Sequence, residues 1–238
     1  PASLDGGGGE ARLRELLEGA PIDVVVQPAQ GRRKKLLIAD MDSTMIDQEC
    51  IDELADEVGI KAEVAAITAR SMNGEIAFEP ALRERVALLR GLDAGVIDRL
   101  IAGRITLASG AAALVATMRA NGAYAALVSG GFTAFTARIA ARLGFDEHRA
   151  NTLDMAEGLL AGTVAEPILG REAKAAALRE ICGRLGIGLD AAIAVGDGAN
   201  DLDMLALAGS GVALHAKPAV AAQARMRVDH GDLTALLY

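Results

Sequence analysis

The sequence predicts an α/β fold: a Rossmann-like parallel sheet with helices on both faces, plus a small helical cap. Three observations carry this. Short apolar runs recur at 36–39 (LLIA), 124–128 (YAALV), 192–195 (AIAV) and 211–214 (GVAL). Helical patterns follow the later runs at about 132–143, 199–208 and 217–224. Apolar runs of this length alternating with helices read as parallel strands covered on both faces. The third observation is an interruption, since residues 47–108 carry helical signals and hardly any strand signal.

Taken in chain order, the Gly6–Gly9 run reads as a flexible joint. Residues 11–27 read as a short helix (ARLRELLEGA) running into a strand (IDVVVQ). That pair is too small to bury its own apolar faces. Residues 1–30 are therefore expected to be a docking segment, or the tail of an N-terminal domain lying mostly outside this chain. The catalytic α/β core is expected over 31–46 and 109–238, with 47–108 inserted as the cap. Within the cap, Ile51, Leu54, Ala55 and Val58 form one apolar stripe, and Leu82, Val86 and Leu89 form another. Pro80 suits the first turn of the second helix. A helical block inserted after the first core strand is placed to close over a site. Further on, 150–164 reads as a β-excursion turning at Glu157-Gly158, and a strand-like piece at 226–228 precedes a terminal helix.

Composition narrows the function classes. The 238 residues suffice for one full domain and a smaller one. A net charge of −8 argues against nucleic acid or an anionic membrane as the main partner. No run approaches the roughly 18 apolar residues of a membrane span. With no signal-peptide pattern, the expected location is cytoplasmic. Cys50 and Cys182 lack metal-type spacing and read as buried thiols. His148, His215 and His230 form no paired-ligand pattern, which argues against a His-based zinc site. A homodimer is left open.

The residues able to do chemistry gather at strand ends. The first strand ends in Asp40-Met41-Asp42-Ser43-Thr44. Ligands of open parallel sheets bind beyond the carboxyl ends of the strands. Two carboxylates there, two residues apart, can serve as nucleophile and proton donor, although such a pair can also merely end the strand or cap a helix. A second cluster, Gly196-Asp197-Gly198-Ala199-Asn200-Asp201, follows AIAV. Asn200 or Asp201 could be an N-cap; capping does not explain Asp197. Asp40 and Asp197 together offer hard oxygen ligands suited to Mg²⁺. At Val128-Ser129-Gly130-Gly131-Phe132, a hydroxyl and free N–H groups ahead of a helix offer an anion site, or simply a turn. Lys174, one of five lysines, shares a stripe with Leu178, Ile181 and Leu185. It is expected to point inward to a counter-charge rather than snorkel to the surface. Nucleophile, metal, lysine and anion cradle meet the needs of phosphoryl transfer, in which alignment and charge neutralisation dominate.

The ordered set DMDST, SGG, an isolated Lys and GDGANDLDM resembles the haloacid dehalogenase superfamily from Lys34 to the C-terminus. The resemblance implies that Asp40 is nucleophile and metal ligand. It makes Asp42 the acid/base, lending its backbone carbonyl to Mg²⁺. Ser129, Gly130 and Lys174 are implied to bind phosphate and Asp197 to bind metal, with Asn200 and Asp201 supporting the site.

More narrowly, the cap resembles the phosphoserine phosphatase family. In DSTMIDQECIDELAD, Glu49 stands where that family uses a glutamate near the substrate ammonium. The stretch MNGEIAFEPALRERV matches its substrate-recognition segment, which implies that Met72 and Phe78 shield the site and that Arg85 pairs with the substrate carboxylate. From spacing alone, Arg85 borders the apolar stripe, where a guanidinium seeks a carboxylate or forms an ordinary ion pair. Glu49 could equally just favour a helix N-terminus. The implied activity is Mg²⁺-dependent hydrolysis of O-phospho-L-serine, the last step of serine biosynthesis, through a phosphoaspartyl intermediate. Bacterial members often carry an N-terminal regulatory domain, for which residues 1–30 are too short.

Two other readings stay open. One is a related phosphatase or phosphotransferase acting on another small phosphorylated metabolite. The other is a non-catalytic Mg²⁺- or phosphate-binding module, which would be expected to have lost Asp40 or Asp42.

Overall fold

The computed structural model describes residues 8–17, 19–72 and 75–238. Its centre is a six-stranded sheet built from β1 (Leu36–Ala39), β2 (Tyr124–Phe132), β3 (Glu147–Asn151), β6 (Ala192–Gly196), β7 (Ser210–Leu214) and β8 (Met226–Val228). The spatial order is β3-β2-β1-β6-β7-β8 and every pairing is parallel. From β1 the chain builds outward on one side through β2 and β3, and on the other through β6, β7 and β8. The strand order therefore reverses between β1 and β6, the position at which open α/β sheets bind ligands beyond the carboxyl ends of their strands.

Alternation along β1 explains the two covered faces. Leu36 and Ile38 point into a core shared with α8 (Arg171–Leu185) and α9 (Leu202–Leu207), through Leu178, Ile181, Met204 and Leu205. Leu37 and Ala39 point the other way, against α6 (Ala111–Ala120) and α7 (Thr133–Leu143), through Leu114, Val115, Phe135 and Ile139. A strand buried on both faces has no polar position to spare, so LLIA is apolar throughout.

Between β1 and α6 lies a helical block of α2 (Cys50–Glu57), α3 (Lys61–Met72), α4 (Phe78–Ala87) and α5 (Val96–Gly103). Leu54, Leu82 and Leu100 join the same core as Leu37, so the block is packed onto one face of the sheet. The hairpin of β4 (Leu153–Ala156) and β5 (Leu159–Val164) reaches back to it. Leu160 exchanges backbone hydrogen bonds with Gly91 and Leu92, both at 2.8 Å. Glu157 (φ 54°) and Gly158 (φ 82°) make the tight turn, both in the left-handed region that two-residue hairpins require.

Several expectations need correction. IDVVVQ forms no strand: residues 22–28 lie in neither sheet. Instead the Asp23 carboxylate accepts the N–H groups of Asp229 and Gly231 at 2.8 and 2.7 Å, fastening this segment through a side chain rather than a ladder. The helix before it is α1 (Gly8–Leu16), so Gly8 and Gly9 open a helix rather than a joint. Residues 1–7, including the start of that glycine run, lie outside the described residues. Val58 leaves its stripe, 41% exposed, because α2 ends at Glu57 and turns away. The terminal helix is a 3₁₀ turn, Leu233–Leu237. Helix α6 and edge strand β3 are additions; β3 (EHRAN) is too polar to stand out as an apolar run. Among the described residues, no helix is long and apolar enough to cross a membrane.

Candidate active site

Asp40 is the first residue beyond β1. Its N–H still donates to the Val195 carbonyl at 3.0 Å, so the neighbouring strand fixes its backbone while its carboxylate leaves the sheet edge. Below it, fully buried on α8, the Lys174 ammonium lies 2.7 Å from both Asp40 Oδ1 and Asp201 Oδ1. Burial works against this charge, but Asp201 and Asp40 outweigh it and hold the amine above its ordinary value. The inward stripe of α8 thus has a physical outcome: the one charged member ends in two carboxylates.

The β6 side is set by close backbone approach. A Cβ at Gly196 would stand 2.4 Å from Asp201 Cγ, so only glycine lets the 3₁₀ turn Ala199–Asp201 fold back over the strand. Asp201 Oδ2 accepts the Gly198 N–H at 3.1 Å. Asp197 Oδ1 accepts the Thr44 hydroxyl at 3.1 Å, tying the two strand ends together. Burial, and then the charge of Asp40, push Asp197 up to about 6. The same two causes push Asp201 upward against the pull of Lys174.

Asp42 lies on the other side of Asp40. Its Oδ1 accepts the Cys50 N–H at 2.9 Å, and its Oδ2 accepts the Ser129 hydroxyl at 3.3 Å. Burial, opposed by the bonds from Cys50, and then Asp40 push it up to about 6. Ser129 is buried in a register shift of β2, which continues to Phe132 rather than ending at the serine. The expected row of free N–H groups is also reduced, because the Ser129 oxygen accepts the Gly131 N–H at 2.8 Å. A Cβ at Gly131 would press on Asp42 Oδ2 at 2.6 Å. A Cβ at Gly130 would meet Phe78 at 3.3 Å and the Asn200 amide at 3.5 Å, so all three share one surface.

Asp40, Asp197 and Asp201 offer carboxylate oxygens that all lie within 4.8 Å of one another. Three carboxylates around one lysine leave an excess of negative charge, and the donors are all hard oxygens. Both features fit a divalent cation of the Mg²⁺ type, with no histidine or thiolate to favour zinc.

The helical block contributes the rim. Glu49, just before α2, accepts the Ser43 hydroxyl at 2.7 Å, with Ser43 itself at φ 54°. Its surroundings and the charges of Asp42, Asp197 and Asp40 push Glu49 upward, although its side chain stays open to solvent. Phe78 opens α4 and lies over both Gly130 and Gly170, whose Cβ positions fall 3.3 Å from its ring. Arg85 donates from Nε to the Ala81 carbonyl at 3.2 Å and from Nη1 to the Thr68 hydroxyl at 3.3 Å. Half-burial lowers its pKa, while Asp52 and Glu49 act on it from a distance in the opposite direction. The Met72 side chain lies outside the described residues.

The structure therefore gathers Asp40, Asp42, Ser129, Gly130, Lys174, Asp197, Asn200 and Asp201 at one strand-end crevice. Phe78 covers it and Glu49 stands at its edge. Sequence reasoning missed Thr44, Gly170, Thr68 and Asn151. Thr44 had a signal, since it shares the Asp40 loop; Gly170 precedes α8 in a loop, and Thr68 and Asn151 lie in unremarkable helix and strand contexts.

The chain matches the haloacid dehalogenase-like hydrolase family over residues 37–206, and it belongs to that family. It is 46% identical to a phosphoserine phosphatase of Polaromonas sp. over 94% of this chain and 97% of the relative. It is 43% identical to one of Streptomyces coelicolor over 92% of this chain, spanning only 53% of that longer relative. Its fold superposes with a TM-score of 0.80 on a phosphoserine phosphatase solved as a phospho-aspartyl intermediate analogue, at 39% identity over 86% of this chain and 97% of the other. Within the haloacid dehalogenase-like hydrolases, the chain belongs to the phosphoserine phosphatases.

Proposed function

We propose that the chain hydrolyses O-phospho-L-serine to L-serine and phosphate through a phosphoaspartate on Asp40, with Mg²⁺ as cofactor. The carrying observation is Asp40 itself: a carboxylate at the carboxyl end of a central strand, 2.7 Å from a buried lysine, with Asp42 two residues on and bonded to Ser129. An Asp40 oxygen attacks phosphorus and the seryl oxygen leaves, taking a proton from Asp42. Asp42 then accepts a proton from the entering water, which attacks phosphorus, releases phosphate and restores the Asp40 carboxylate. Ser129 and the Gly130 backbone cradle the phosphoryl oxygens. Lys174 keeps Asp40 and Asp201 from repelling each other and adds positive charge beneath the reacting centre. Asp40, Asp197 and the Asp42 carbonyl would hold the cation, with Asp201 beside them; when bound it offsets charge on the phosphoryl oxygens.

In the helical block, read as a cap over 47–108 on a core of 31–46 and 109–238, Arg85 pairs with the substrate carboxylate and Glu49 with the ammonium. Phe78 and Met72 exclude water. A cytoplasmic location accords with a small anionic metabolite as substrate. The direct test is phosphate release from O-phospho-L-serine, with and without Mg²⁺. Release well above that of an Asp40→Asn control, abolished by chelation, is expected; release no greater than the control overturns the proposal.

A further inference from the structure

Asn151, the last residue of edge strand β3, is only 2% exposed and spends its whole amide on two loops. Its Nδ2 donates to the Gly130 carbonyl at 2.8 Å and to the Leu169 carbonyl at 3.2 Å. Its Oδ1 accepts the Leu169 N–H at 2.6 Å. A buried amide that satisfies three backbone groups is costly to replace, because each partly buried group it leaves behind loses its partner.

The two loops are the ones that matter for the phosphoryl group. Gly130 follows Ser129 in the register shift of β2, where the β2–β3 ladder is interrupted between Val128 and Phe132. With the ladder broken there, the Gly130 carbonyl has the Asn151 side chain as its hydrogen-bond partner. Leu169 precedes Gly170, the residue before α8, whose carbonyl accepts the Lys174 N–H at 3.2 Å. One side chain therefore spans the turn that carries Ser129 and the start of the helix that carries Lys174. It also aligns Gly130 and Gly170, the two glycines on which Phe78 rests.

We propose that Asn151 is a positioning residue for phosphate, locking the Ser129-Gly130 turn in register with the first turn of α8. Among the described residues, no backbone hydrogen bond joins the two loops directly at this point. Without the bridge, the turn is free to move by the few tenths of an ångström that separate a good anion cradle from a poor one. The inference rests on reading Ser129 and Gly130 as the phosphate turn, so Ser129→Ala is run alongside.

The test uses inorganic phosphate and L-serine as product inhibitors, with O-phospho-L-serine and 4-nitrophenyl phosphate as substrates. Asn151→Leu removes all three bonds at similar volume. Asn151→Asp keeps the acceptor toward Leu169 and loses both donors, and it carries the test if Asn151→Leu does not fold. Phosphate inhibition is expected to weaken about tenfold in both variants, with KM rising for both esters, while inhibition by L-serine is unchanged. A purely structural role would lower Tm and the active fraction, leaving KM and phosphate inhibition where they were. Phosphate inhibition within twofold of the parent in a folded variant overturns the proposal. If Ser129→Ala also leaves phosphate inhibition unchanged, the reading of the turn fails; if it weakens it, only the role of Asn151 is lost.

Discussion

Lys174 and Arg85 are both helix-borne cations that feel nearby carboxylates, and they are held in opposite ways. Lys174 is fully buried and touches two carboxylates at 2.7 Å. Arg85 is half-buried, and its hydrogen-bond partners are neutral: a carbonyl and a hydroxyl. Among the described residues it makes no ion pair within 4 Å, and Asp52 and Glu49 act on it only at longer range. The lysine finds its counter-charges within the protein; the arginine keeps donor capacity in reserve. On the proposed function, the difference separates a residue that holds the acidic cluster together from one whose strong partner would arrive with the substrate.

The sharpest way to break this comparison is to remove each partner at the core. Asp40→Asn is expected to cost at least about four orders of magnitude in turnover while leaving stability unchanged or slightly raised. The crowding of Asp40, Asp42, Asp197 and Asp201 explains the second part, since removing one charge relieves the others. Lys174→Met should do the reverse for stability. It strands two buried carboxylates, and urea denaturation should show a loss of roughly 3–5 kcal/mol together with lost activity. Equal stability losses in the two variants would remove the claim that acids are in excess here.

At the rim, Arg85→Ala should leave stability within about 1 kcal/mol of the parent, because only neutral, partly solvated partners are lost. Its KM for O-phospho-L-serine should rise roughly a hundredfold, with KM for 4-nitrophenyl phosphate nearly unchanged. Steady-state kinetics on both esters checks this. Equal rises on both would make Arg85 a structural residue of α4 rather than a carboxylate anchor.

What was legible beforehand follows the same division. The four apolar runs announced β1, β2, β6 and β7 because a doubly covered strand has no freedom to be polar. Lys174 was legible because a charge on an otherwise apolar stripe must find a partner inside. Edge strand β3 escaped because an edge tolerates Glu147, His148 and Arg149. Asn151 escaped with it, since the need for its amide arises from the broken ladder opposite and from the Leu169 loop, both features of the fold. IDVVVQ misled for a related reason: its alternation suits a strand, but Asp23 engages the 229–231 loop by its side chain instead. Composition reports burial well; it does not report which polar groups a fold leaves needing a partner.

The smallest expected effect probes how the arginine is aimed. The Thr68 hydroxyl donates its one proton to the Val64 carbonyl at 3.0 Å, the bond to the residue one turn back on α3. With that proton spent, the oxygen can only accept, and it faces Arg85 Nη1 at 3.3 Å. Thr68 thus holds one end of the guanidinium while the Ala81 carbonyl holds Nε. Thr68→Val preserves shape and removes the acceptor. KM for O-phospho-L-serine should rise about three- to tenfold, with kcat and the 4-nitrophenyl phosphate parameters unchanged, and Thr68→Ser should restore the parent value. The effect should vanish in an Arg85→Ala background, because a residue that acts through the guanidinium has nothing to aim once it is gone. Additive effects in that double variant would mean that Thr68 supports α3 alone.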